Sequence, residues 1–224
     1  MSGKLTTFNK VFNNIVQNNL KFLYFTRAIE FQKQAIADFE SLLKKTTYMK
    51  RVIIKKKNEK LSNQLLGLEN LVNAYICELK MYVQLKEDKM SEAWESLVNA
   101  QSALRTAFQA DDIVSKYNGE TYLQKLELIE KSFFPHQTFN SIEAKARSST
   151  CSICGKEYGT CDHLVGKPYM GEICYRIMKG VEFTGLSILL GNNPASKLHR
   201  ITEMSDNGYM RNILTWRISK PIEK

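Results

Sequence analysis

Residues 1–150 contain only three glycines (Gly3, Gly67, Gly119) and one proline, Pro135. Helix interiors tolerate both residue types poorly, so their scarcity leaves room for long uninterrupted helices. Long hydrophobic runs are missing too. No apolar stretch approaches the roughly 18 residues that a membrane-spanning helix needs. The opening MSGKLTTFNKVFNNIV lacks the unbroken apolar core and small-residue cleavage site of a secretion signal. A cytoplasmic protein without a membrane partner is therefore expected. The chain also has no G-x-x-x-x-G-K-[ST] phosphate loop, no dinucleotide-binding glycine fingerprint and no G-x-S-x-G elbow. Of its three histidines, His136 beside Pro135 and His199 in a strand-like stretch have no evident catalytic partner and read as structural or surface residues.

Acidic residues are scarce where basic ones are dense. Residues 1–60 carry thirteen Lys or Arg against four acids, an excess equal to the whole chain's net charge of +9. The densest run is Lys44, Lys45, Lys50, Arg51, Lys55, Lys56, Lys57 and Lys60. Such a run suits nucleic-acid phosphates or an acidic protein surface, and equally a solvated helix face.

Apolar residues recur at three- and four-residue spacing through much of the first part. In LLGLENLVNAYICELKMYVQL they are Leu65, Leu68, Leu71, Val72, Tyr75, Ile76, Leu79, Tyr82 and Val83, a broad stripe on one helical face. An upstream helix is marked by Leu20, Leu23, Ala28, Ile29, Phe31, Ile36, Phe39, Leu42 and Leu43. LKEDKMSEAW breaks the pattern, with Asp88 or Ser91 as a helix cap. The following helix puts Ala93, Trp94, Leu97, Val98, Ala100, Ala103, Leu104, Ala107 and Phe108 in the core, its small residues allowing close helix approach. A last helix, from about Thr121 to Ser132, stops before Pro135. No second copy at a fixed period is present, which argues against a repeat array. Cys77, in NAYICELKMY, reads as a buried core thiol.

Residues 151–224 hold eight glycines and three prolines, so turns and strands are expected there. EFTGLSILLG reads as a strand, KLHRITEM as a weaker one, and SDNG at 205–208 as a turn. Beyond it Leu214, Trp216 and Ile218 alternate with Thr215, Arg217 and Ser219 as one buried strand face would, with Trp216 as a core anchor.

The second part opens with CSICGKEYGTCDHLVGKPYMGEIC, residues 151–174. Cys151 and Cys154 form a C-x2-C pair, the spacing at which a tight turn offers two thiolates to one zinc, and Gly155 suits that turn. Cys161, His163 and Cys174 follow, making five candidates for the four places of a closed zinc tetrahedron. Cys151, Cys154, Cys161 and His163 are the preferred set, with Cys174 as the main substitute. Clustered cysteines in a reducing compartment are more often metal ligands than disulfides.

Two resemblances attach to this stretch. The Asp162–His163 pair downstream of C-x2-C resembles the HNH nucleases, in which a treble-clef zinc fold frames a ββα-metal site. That resemblance implies His163 as general base and Asp162 as a ligand of a catalytic divalent metal. The sequence departs from the pattern at Ile177, where the family's second C-x2-C needs a cysteine, and in YRIMKG, which lacks the helix asparagine. The longer pattern C-x2-C-G…C-x-H-x2-G-K-x-Y-x-G-x2-C is similar to a small zinc module of bacteria and their phages, often found near phage head-maturation genes. Cys151, Cys154, Gly155, Cys161, His163, Gly166, Lys167, Tyr169, Gly171 and Cys174 carry it, followed by LSILLGNNPA. It implies zinc and a bacterial or phage setting; a part in phage defence is an expectation about function that goes beyond the resemblance.

The expected architecture is mainly α: an antiparallel helical bundle or long helical hairpin over 1–134, a connector over 135–150, and a small zinc-bound module with short strands over 151–224. The expected function is a non-enzymatic zinc protein that serves as a nucleic-acid-binding or adaptor subunit, with a protein partner or a second copy joined through the helical part. A ββα-metal nuclease using Asp162 and His163, and a purely protein-binding helical scaffold, are the alternatives.

Overall fold

The computed structural model describes residues 2–190, 197–206 and 208–221. Its described residues divide into two compact units, 1–126 with 164–174, and 127–163 with 175–221.

The first unit is the expected antiparallel helical bundle. It is built from α1 (Ser2–Leu20), α2 (Ile29–Lys55), α3 (Glu59–Lys86), α4 (Met90–Ala110), a 3-10 turn (Asp112–Tyr117) and the start of α5 (Gly119–Phe133). Three-residue connections between α2 and α3 and between α3 and α4 force neighbouring helices to run antiparallel. Asn58 caps α3 by accepting the Leu61 N–H at 3.0 Å. The expected cap of α4 is absent. Lys89 occupies that position and makes no side-chain capping bond, its ammonium pairing with Glu87 instead, and Asp88 is spent in the preceding turn at φ +61°.

The apolar stripes meet in one core. Leu65, Leu71, Val72 and Leu79 of α3 pack with Trp94, Leu97, Leu104 and Ala107 of α4, all fully or almost fully buried. A Cβ on Gly67 would come within 3.4 Å of the Ala107 carbonyl, so the glycine permits the close α3–α4 approach that the alanines prepare. Phe39, Tyr75 and Tyr122 form an aromatic row with centroids 5.3 and 5.2 Å apart. Several of the expected apolar positions differ: Leu20 and Phe31 are exposed, Phe31 stacking on Phe22, and Ala28, Ile29, Ile36, Leu43 and Phe108 are half-buried. Cys77 is half-buried as well, because it faces a shallow polar cleft with Asn70, Asn73 and Asn99. Burial pushes its thiol up, against the opposing pull of Lys80.

Residues 168–173 form a small hairpin that belongs to this unit: β2 (Pro168–Tyr169) and β3 (Glu172–Ile173). Met170 and Gly171, both at positive φ, make its two-residue turn. Asn63 accepts the Gly171 N–H at 2.8 Å, and a Cβ there would meet Ile54 and Lys50 at 3.3–3.4 Å. The turn is thereby seated on α2 and α3.

The second unit is built on an antiparallel ribbon of β1 (Thr138–Cys151) and β4 (Arg176–Leu190). Residues 138–150, anticipated as part of a connector, are thus strand. Both their faces are largely exposed, so they carry little of the hydrophobic alternation by which strands are recognised. The apolar stretch within 182–190 is strand as expected. β5 (Glu203–Asp206), β6 (Tyr209–Asn212) and β7 (Ile218–Pro221) form a three-stranded sheet. The β5–β6 hairpin closes at 207–208, where the turn was expected, with Gly208 at φ +84° and Asn207 outside the described residues. Most of KLHRITEM precedes β5 and contributes a single bridge, Phe139 to Arg200.

Trp216 is not a core anchor. Asn212 Oδ1 accepts the N–H groups of Leu214 and Thr215 and folds 213–216 into a turn, which breaks the alternation expected there. Leu214 is buried, whereas Trp216 stands at φ +60° with 62% of its surface exposed, and Ile218 is exposed too.

Candidate metal centre

Cys151 ends β1 and is completely buried. From there the chain folds into a tight knuckle. The Cys151 N–H donates to the Lys156 carbonyl at 2.8 Å, while the Gly155 N–H donates to the Cys151 carbonyl at 2.9 Å. Gly155 makes this return at φ +71°, a conformation that a side chain would strain. The Ile153 N–H points at Cys151 Sγ at 3.4 Å, the kind of backbone donor that steadies a thiolate. A second turn follows, where Thr160 donates from both its N–H and its hydroxyl to the Glu157 carbonyl, and it delivers Cys161 and His163.

The ligand atoms of Cys151, Cys154, Cys161 and His163 all lie within 4.8 Å of one another. A zinc tetrahedron with Zn–S bonds of about 2.3 Å has edges of about 3.8 Å, so a small contraction would close the four onto one ion. None of the five cysteines forms a disulfide. The Cys161 thiol is held above its ordinary range. The His163 backbone N–H pulls it down, but desolvation and the neighbouring Cys154 and Cys151 sulfurs outweigh that pull. Crowded thiols resist ionisation until a cation enters among them, so this donor set fits a soft divalent metal.

The other candidates lie elsewhere. Cys174 is buried but is not among the four. Its N–H donates to the Lys167 carbonyl and its carbonyl accepts the Gly166 N–H, both at 2.9 Å, so its backbone closes the base of the β2–β3 hairpin. Asp162 is exposed and is not part of the cluster. His136 and His199 are exposed. The Pro-Ala pair of the similar zinc module, at 194–195, lies outside the described residues.

The basic run occupies the second half of α2, the α2–α3 turn and the first turn of α3. Lys50 is half-buried and pairs with Glu69, which also accepts from Thr47. The rest are exposed. Lys44, Arg51 and Lys55 recur at four- and seven-residue spacing on the helix face opposite Phe39, Leu42, Thr46 and Ile53. Between them sits Tyr48, 66% exposed, which the reading of charge alone passed over. Lys44, Arg51 and Lys55 enter none of the ion pairs formed among the described residues, in contrast to Lys33, Lys80 and Lys125. Among the described residues no helix is long and apolar enough to cross a membrane. No protein-family model, curated protein or solved structure matches the chain.

Proposed function

We propose that the chain is a non-enzymatic zinc-binding protein whose helical unit binds nucleic acid, acting as a subunit of a bacterial or phage-related assembly. The observation that carries the zinc assignment is the closed donor set of three thiols and one imidazole. Four such ligands complete the shell of a structural zinc and leave no open position for a substrate or a reactive water. The same arrangement occupies His163 as a ligand, which removes it from use as a nuclease base. The stripe Lys44–Tyr48–Arg51–Lys55 supports the nucleic-acid reading. Its cations are not neutralised by carboxylates, and it adds an aromatic face on which a base can stack.

Elemental analysis of the purified chain tests the metal, with one zinc per chain as the expected result. Fluorescence-anisotropy titrations across a range of salt test the binding. Replacing Lys44, Arg51 or Lys55 with Gln lowers the slope of log K against log salt by about one each. Tyr48→Ala weakens single-strand binding while the slope stays the same. Binding to no DNA or RNA at any salt concentration leaves the protein-scaffold alternative instead. Mg²⁺-dependent plasmid cleavage that Asp162→Ala abolishes, with zinc retained, replaces the non-enzymatic reading with the nuclease.

A further inference from the structure

The β1–β4 ribbon has two unlike faces. Alternation along paired strands puts Asn140 with Ile188, Ile142 with Leu186, Ala144 with Phe183, Ala146 with Val181, Ser148 with Lys179 and Thr150 with Ile177 on one of them. The opposite face holds Glu143, Lys145 paired with Glu182, Arg147, and Cys151 paired with Arg176, with its apolar residues set apart as the Phe139–Leu189 pair at one end and Met178 opposite Ser149. The first face is apolar, and it is uncovered. Ile142, Val181, Phe183, Leu186 and Ile188 are each 58–64% exposed. Among the described residues, no third strand joins the ribbon.

A bulge keeps this stripe together. Val181 and Phe183 are odd-numbered, Leu186 and Ile188 even-numbered, and strict alternation would send the two pairs to opposite faces. The register shift between Glu143 and Ala144 inserts one extra residue in β4 and returns both pairs to the same side. A two-stranded ribbon is marginal by itself in water, and a contiguous apolar face of this kind marks an interaction surface.

We propose that this face joins two copies of the chain, ribbon against ribbon. The argument is size complementarity within the stripe. Apart from Ile142, its large side chains stand on β4, whereas β1 contributes the small Ala144 and Ala146 at its centre. A two-fold axis running along the ribbon lays each β4 over the partner's β1, so Phe183 of one copy fits above the alanines of the other. Only one charge, Lys179, lies in the six paired rows, so association desolvates little. Six rows span about 34 Å; with a width of about 15 Å they bury about 1,000 Å² over both copies, the lower bound for a specific interface. The dimer is therefore weak, with a dissociation constant in the micromolar range.

Sedimentation equilibrium of the full zinc-loaded chain over a range of concentrations tests this, independently of nucleic-acid binding. The expected result is a concentration-dependent rise from monomer to dimer mass and no further. Phe183→Glu weakens association at least ten-fold. Because a charge there can also disturb folding, Ala146→Phe supplies a second test. It keeps the face apolar but fills the space for the partner's Phe183, and it too weakens association ten-fold. Lys145→Ser, on the opposite face, leaves it unchanged. A monomer at every concentration overturns the proposal, and so does a dimer indifferent to both Phe183→Glu and Ala146→Phe.

Discussion

The two units differ most in how much apolar surface each hides. In the helical unit, α3 and α4 alone bury more than a dozen large side chains, Leu65, Leu71, Leu79, Trp94, Leu97 and Leu104 among them. The strand unit buries Ile129, Phe134, Phe139, Cys151 and Leu214, and leaves most of its other large apolar residues in water. Hydrophobic burial is the dominant favourable term in folding, at about 25 cal/mol per Å². The helical unit therefore has a self-sufficient core. The strand unit is of a size and composition at which small domains recruit a metal or a partner. The cysteine cluster can hold an ion, and the uncovered ribbon face is the surface proposed above for a second copy.

Removal of the proposed metal is expected to break this comparison most forcibly. Structural zinc contributes on the order of 10–16 kcal/mol of apparent folding free energy in small metal-dependent modules. Chelation, or Cys151→Ser, is expected to strip hydrogen-exchange protection from the 151–158 knuckle and from the adjoining ends of β1 and β4. Protection in α3 and α4 stays within a few-fold of wild type. Equal loss in both units would show that the helical core is not self-sufficient.

The next effect belongs to the helical unit alone. Glu78 is fully buried on α3, where Lys125 Nζ lies 2.6 Å from its carboxylate and the Tyr82 hydroxyl donates to it at 3.0 Å. Burial raises its carboxyl above the ordinary range, with Lys125, then Tyr122 and Tyr82, pulling the other way. Lys125→Met leaves this carboxylate without its cation and costs about 3–5 kcal/mol in urea denaturation near neutral pH. A carboxyl raised in the folded state stabilises below its unfolded value, and that contribution is lost as pH rises through the folded value. Without Lys125 the rise is larger, so the penalty of the variant shrinks on acidification toward about pH 4. Urea midpoints measured across pH check the slope. Zinc content and knuckle protection are expected to stay unchanged.

The same contrast explains how much could be read from the sequence. Helices α2, α3 and α4 were legible because one buried face and one wet face impose a 3.6-residue period on Leu65 through Val83 and Ala93 through Ala107. The cap of α4 was not, since Asp88 supplies its conformational tolerance to a turn rather than its carboxylate to a helix end. At the metal centre, the spacing of Cys151, Cys154, Cys161 and His163 was enough to propose a cluster that can hold an ion. The hairpin at 168–173, closed by the backbone of Cys174, was not legible, because it is seated on Asn63 and Ile54, more than a hundred residues away in sequence. The ribbon was the least legible element. Its first strand interleaves charges with small residues, and the bulge splits the apolar alternation of the second at Thr184.

Trp216 sharpens the comparison with the smallest effect. Its side chain is mostly in water, and its defined ring partner is the Arg211 guanidinium 6.0 Å from the ring centroid. An exposed cation–π pair contributes about 0.5–1 kcal/mol, and relief of crowding at a φ of +60° offsets part of that in any smaller residue. Trp216→Ala is therefore expected to change stability by less than about 0.5 kcal/mol. Fluorescence supplies the readout, because the chain has only two tryptophans, one in each unit. Trp94, fully enclosed in the helical core, emits to the blue, and Trp216 emits to the red and is open to iodide quenching. Trp216→Ala should remove the quenchable red component and leave the unfolding midpoint reported by Trp94 where it was. A midpoint that drops by the several kcal/mol typical of a lost core aromatic would mean that the turn at 213–216 packs against apolar surface in solution, and that the strand unit holds more core than its exposed side chains suggest.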